Sequence, residues 1–143
     1  MTRIDFYFNV ANAQDVVADL VKSALIKHRQ VTIVVDEQLA ASKLGACLWQ
    51  YKPESFLPNA LSSSAVAAQT PIVIHWQNQV LLQDDMLINL TVNQPAFFSR
   101  FTQLVELVTD VEHDKVAARA RFKFYRDRGY DIKSINLAQT KIE

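Results

Sequence analysis

Two short apolar runs, Val31-Thr32-Ile33-Val34-Val35 and Ile72-Val73-Ile74, constrain this chain more than anything else in it. Neither alternates apolar with polar residues, so neither suits a sheet with one wet face. They read as strands buried on both sides, the pattern of a parallel sheet covered by helices. Upstream, residues 4–10 put Ile4, Phe6 and Phe8 on one face and Asp5, Tyr7 and Asn9 on the other, which predicts a first strand. Asn12 is placed to cap the following helix, whose apolar stripe is Val16, Val17, Leu20, Val21, Ala24 and Leu25. Asp36 is similarly placed before a second helix with Ala40, Leu44, Cys47 and Leu48 on one side.

Pro53, Pro58 and Ser62-Ser63-Ser64 mark residues 49–70 as a loop. Short strands are expected at 80–82 and 86–90, around the turn Gln83-Asp84-Asp85, and a helical turn at Phe97, Phe98 and Phe101 after Pro95. Residues 104–108 read as a strand with helix as the competitor. A last helix should run from 112 to 128, opened by the capping-box spacing of Thr109 and Glu112 and ended by Gly129, with Val116, Ala120 and Phe124 as its core stripe. Alternating strands and helices over 143 residues predict a single α/β domain spanning 1–143. It has three layers, a mostly parallel sheet and helices on both faces. Such an architecture is Rossmann-like, but the first strand–helix turn, Val10-Ala11-Asn12-Ala13-Gln14, holds no glycine. The chain has only two glycines, Gly45 and Gly129. A nucleotide-binding glycine loop is therefore excluded, and no cofactor is expected.

Catalytic chemistry is equally scarce. His28, His75 and His113 are scattered, without the spacing of a metal site, and His75 between Ile74 and Trp76 reads as structural. The single cysteine, Cys47, excludes an internal disulfide and reads as a small core residue. Asp84-Asp85 is a charged turn, and no serine stands in a nucleophile-elbow context. The expectation is no catalytic residue, no metal and no enzymatic activity of its own. No run of 18 or more apolar residues suggests a membrane span, and Met1-Thr2-Arg3-Ile4-Asp5 lacks a signal core, so a cytoplasmic location is expected.

The formal charge is zero overall but unevenly spread. Residues 1–112 carry 7 basic and 11 acidic side chains, a net of −4; residues 113–143 carry 8 basic and 4 acidic, a net of +4. That polarity suggests an anionic partner at the C-terminal end, the alternative being a solvated helix face that happens to be basic. On the last helix, Lys115, Arg119, Phe122 and Arg126 fall within a sector of roughly 60°, with Lys123 on its flank and Ile132 placed to close one side of a groove. A large ring among cations suits an acidic peptide ending in an apolar side chain. It also suits single-stranded nucleic acid stacked on Phe122, or simply a basic helix with one half-buried aromatic. A second patch, Leu48-Trp49-Gln50-Tyr51-Lys52-Pro53-Glu54-Ser55-Phe56-Leu57-Pro58, concentrates three aromatics in a proline-fixed loop, as an interface anchor or as a cover for the core.

Three stretches carry a resemblance. They are Leu48-Trp49 with Pro53-Glu54-Ser55-Phe56-Leu57-Pro58, then residues 71–76 leading to Met86-Leu87-Ile88-Asn89-Leu90, then Ala118-Arg119-Ala120-Arg121-Phe122-Lys123-Phe124-Tyr125-Arg126 with Gly129-Tyr130. In order and spacing they resemble the chi subunit family of the bacterial DNA polymerase III holoenzyme. The resemblance implies a non-catalytic role in replication, in which chi links the clamp-loader complex to the acidic C-terminal tail of single-stranded-DNA-binding protein. By that resemblance the tail would meet Lys115, Arg119, Phe122, Lys123, Arg126, Ile132 and Ser134. Family members often carry tyrosine where Phe122 stands. Trp49 and Phe56 would face a psi subunit, or an equivalent clamp-loader or helicase-type partner. Nucleic acid would then be met indirectly, by a monomer or a heterodimer. Direct binding of single-stranded nucleic acid by the same helix is the alternative reading, and a small nucleotide-processing enzyme a more distant one.

Overall fold

The computed structural model describes residues 2–36, 43–44, 60–61, 72–76, 83–91, 94–95 and 97–137. Among them, seven strands form one sheet: β1 (Arg3–Val10), β2 (Val31–Val35), β3 (Ala60–Leu61), β4 (Ile72–Trp76), β5 (Met86–Asn89), β6 (Gln103–Thr109) and β7 (Ile132–Asn136). Their spatial order is β3-β4-β2-β5-β6-β1-β7, and every pairing is parallel. A parallel sheet needs both faces covered, and β2 shows why the sequence permits it: all five of its residues, Thr32 included, are buried.

Helix α1 (Ala13–Ile26) covers one face. Asn12 accepts from the amides of Gln14 and Asp15 at 3.0 and 3.3 Å, satisfying two of the donors that a helix start leaves open. The predicted stripe is the buried one: Val16, Val17, Leu20, Val21 and Ala24 pack with Val10, Val31, Ile33, Ile72, Ile74, Ile88 and Val105. Leu44 joins the same core. Ala40, Cys47 and Leu48 of the expected second helix, the loop bearing Trp49 and Phe56, and the strand expected at 80–82 lie outside the described residues.

Helix α2 (Glu112–Asp127) covers the other face. Beneath it Ile4, Phe6, Val34, Leu87, Leu104 and Val108 form a second core with Phe98, which opens the 3-10 turn Phe98–Arg100, and Phe101, which follows it. Ring contacts knit this layer together. Phe98 meets Tyr125 at 5.0 Å and Tyr130 at 5.1 Å between centroids, both edge to face. His75 is buried and stands edge-on to Phe97 at 5.4 Å, as befits a structural histidine.

Residues 104–108 are strand, as read, and Leu104 and Val105 feed opposite cores as successive residues of a buried strand must. Four features depart from the sequence reading. Residues 60–61, inside the segment expected to be a loop, pair with β4 as β3. The N-cap of α2 is Val111, not Thr109; Thr109 sits two residues earlier, where its hydroxyl donates to Asp114. An additional strand, β7, forms along β1, its edge position requiring no alternation of its own. The core stripe of α2 is Ala118, Arg121 and Tyr125 rather than Val116, Ala120 and Phe124. Val116 is 55% exposed. The inward positions are polar because a buried glutamate waits for them.

Candidate functional site

That glutamate is Glu106, in the middle of β6 and fully buried. An isolated carboxylate there would be prohibitive, so it must be paired. Arg121 donates from Nε to Oε1 at 3.1 Å, and the Tyr125 hydroxyl donates to Oε2 at 2.6 Å. Asn89, opposite Glu106 in the β5–β6 register, donates from Nδ2 to both oxygens at 3.1 and 3.0 Å. Burial pushes the Glu106 carboxyl above the usual carboxylate range, against the pull of Arg121, Tyr125 and Asn89. Burial, reinforced by the Glu106 charge, raises the Tyr125 phenol far above its ordinary value, so it remains a donor. Sequence reasoning missed this network. Its signal was present: a lone acid inside Leu104-Val105-Glu106-Leu107-Val108 calls for a buried cation.

The network seats α2, and the seat decides what α2 shows to solvent. Phe122 lies at the border, half-buried, its ring edge-on to Phe6 at 5.3 Å. Arg119, Lys123 and Arg126 are exposed around it and Lys115 is half-buried one helical step earlier. Arg126 pairs with its neighbour Asp127 at 3.7 Å on the surface. Arg128 is engaged elsewhere, 4.2 Å over the Phe124 ring.

Beyond Gly129 the chain turns back. Gly129 takes a φ of +83°, and the Tyr130 amide donates to the Tyr125 carbonyl at 3.2 Å, closing the helix. β7 then runs beside β1 with Ile132 opposite Ile4 and Ser134 opposite Phe6. Residues paired in a parallel ladder share a face. Ile132 and Ser134 therefore stand on the α2 side, and Ile132 packs against the same core as Phe122. The structure thus brings Phe122, Ile132 and Ser134 to the same edge of the sheet on its α2 side, and leaves Arg119, Lys123 and Arg126 exposed on the helix beside them, with Lys115 a turn before Arg119. Trp49 and Phe56 lie outside the described residues.

The start of α1, where a nucleotide phosphate binds in related architectures, is arranged against an anion. Asn12 takes up two amides there and Asp15 adds negative charge to the first turn. No helix among the described residues is long and apolar enough to cross a membrane.

An open, wholly parallel α/β domain whose distinctive surface is a basic helix with an embedded aromatic ring is the class that fold and site define. Residues 1–133 match the family described as DNA polymerase III chi subunit, HolC. The chain is also 30% identical over 141 residues to DNA polymerase III subunit chi of Pseudomonas aeruginosa, covering 96% of this chain and 98% of that one. It is 32% identical over 125 residues to the Haemophilus influenzae subunit chi (87% of each chain), and 30% identical over 105 residues to that of Escherichia coli K12 (73% of this chain, 71% of that one). The chain belongs to the DNA polymerase III chi subunit family. That is a family of replication accessory subunits rather than of catalytic ones.

Proposed function

We propose that this chain is a two-ended replication adaptor whose α2–β7 groove holds the acidic C-terminal tail of single-stranded-DNA-binding protein. The observation that carries the reading is the setting of Phe122: a ring fixed against Phe6, half open to solvent, with Arg119, Lys123 and Arg126 exposed around it. An apolar terminal side chain would pack on the Phe122 ring and against Ile132. The terminal carboxylate and neighbouring acids would meet Arg119, Lys123, Arg126 and Lys115, and the Ser134 hydroxyl can accept or donate a hydrogen bond at the groove's edge. Binding of so short a segment is modest, because little area is buried and the tail becomes ordered. It weakens with salt, because the cations are exposed.

Trp49 and Phe56 are proposed to meet the second partner, a psi subunit or an equivalent clamp-loader or helicase-type protein, in the cytoplasm. Nucleic acid is then reached through the tail rather than directly. The −4 charge of residues 1–112 offers no extended basic track for a phosphate backbone.

The experiment is a calorimetric titration of the full chain with three probes at matched salt. They are the tail peptide with its free carboxylate, the same peptide amidated, and a single-stranded oligonucleotide. The free-acid peptide should bind best, the amide several-fold more weakly, and the oligonucleotide hardly at all. Tight oligonucleotide binding with no response to the peptide would replace this reading by direct nucleic-acid binding.

A further inference from the structure

Helix α2 has two faces that its sequence would allow inward. At about 100° per residue, the apolar set Val116, Ala120 and Phe124 is centred about 130° from the set Ala118, Arg121 and Tyr125. Hydrophobicity alone favours the first set, yet the second is buried. Ala118 and the Tyr125 ring bury apolar surface there, but Arg121 and the Tyr125 hydroxyl are polar groups that apolar burial alone does not place. Glu106 places them. Its two oxygens receive Arg121, Tyr125 and Asn89, and hydrogen bonds fix a rotation angle where apolar contacts tolerate sliding. Turning α2 to its apolar face would strip the Arg121 and Tyr125 donors from a fully buried carboxylate. Arg119 and Phe122 lie two positions before and one after Arg121, so the angle that Glu106 sets is also theirs.

We propose that Glu106 is a positioning residue: it locks α2 about its own axis, and so presents Arg119, Phe122, Lys123 and Arg126 beside β7. The ligand in the test rests on the tail-binding reading above; the locking itself does not.

The test uses the full-length chain carrying Glu106→Leu, Arg121→Leu and Tyr125→Phe together, which keeps the volume and removes the polar partners. Asn89 retains a role as acceptor for the Thr91 amide and hydroxyl. Three quantities are measured: cooperative thermal unfolding by circular dichroism, nuclear Overhauser contacts between the Phe6 and Phe122 rings, and affinity for an acidic peptide ending in an apolar residue with a free carboxylate. The expected result is a folded protein that unfolds cooperatively, has lost the Phe6–Phe122 contacts and binds the peptide at least about tenfold more weakly. A folded triple variant that keeps both the ring contacts and wild-type affinity overturns the proposal, because Glu106 would then be structural only. Should the triple variant fail to fold, Tyr125→Phe decides: weakened ring contacts support the lock, and wild-type contacts with wild-type affinity overturn it. If the wild-type chain binds no peptide, the tail-binding reading falls while the ring contacts still judge the lock.

Discussion

Arg121 and Glu106 face each other across the α2–β6 interface at 3.1 Å, both buried, in a layer built mainly of aliphatic and aromatic side chains. A pair of this kind is costly to create and costlier to break. Removing one member leaves a charge in a medium that cannot solvate it, at about 3–5 kcal/mol. Arg121→Met should therefore lower the unfolding free energy by about that amount in urea denaturation. A loss under about 1 kcal/mol would mean that water reaches Glu106 and that the pair is not buried in solution.

The Tyr125 phenol gives an alkaline signature. Its pKa in the folded chain is raised by burial and by Glu106, so the folded state holds that proton after an unfolded tyrosine, with a pKa of about 10, has begun to release it. The stability contributed is complete below about pH 10 and declines as pH rises beyond it. Tyr125→Phe should leave the tyrosinate absorbance of the native protein unchanged up to the pH at which the chain unfolds. A smaller native titration in the variant would show that Tyr125 ionises in the folded state.

On the acid side Asp85 makes a small contribution. Although partial burial opposes its charge, Arg29, the Gln30 amide and Thr102 together hold its carboxyl below the usual range, with Arg29 Nη2 at 2.7 Å from Oδ1. A lowered folded pKa contributes stability above the unfolded carboxylate value of about 3.9, and that contribution disappears as pH falls through the lower folded value. The pair is part-exposed, so the effect is small, about 1 kcal/mol or less. The stability difference between wild type and Asp85→Asn should be constant from pH 7 to 5 and narrow below about pH 4. A difference that widens on acidification would reverse the sign assigned to Asp85.

Gly129 tests the end of the helix that matters. A Cβ added there meets no atom within 4 Å, yet the φ of +83° is one that L-residues rarely adopt. Gly129→Ala should cost about 1–2 kcal/mol through the backbone alone. No loss would place the turn after α2 in a different conformation.

Much of this molecule was legible before any coordinates, and what was not has a common cause. The runs at β2 and β4 and the stripe of α1 were plain because apolar residues sit where the fold buries them. The axis of α2 was plain too, and so was the grouping of Arg119, Phe122 and Arg126, since helical geometry fixes their relation to one another. Which way that helix faces was not, because its inward positions hold Arg121 and Tyr125, and their partner Glu106 lies 15 and 19 residues upstream. A pattern that ranks residues by hydrophobicity turns such a helix the wrong way. β7 was missed for a related reason: Ile132-Lys133-Ser134-Ile135-Asn136 lies at the sheet edge, where only two half-buried isoleucines report the sheet.

The account stands or falls on the groove between α2 and β7, and one titration addresses it. Arg119→Ala changes an exposed side chain on a helix seated by other residues, so the fold should be untouched. Affinity for the acidic tail peptide of single-stranded-DNA-binding protein, measured beside wild type at the same salt, should fall by about 1–3 kcal/mol, or roughly 5- to 150-fold, with an unchanged circular dichroism spectrum. Wild-type affinity in that variant would contradict the assignment of this face as the tail site.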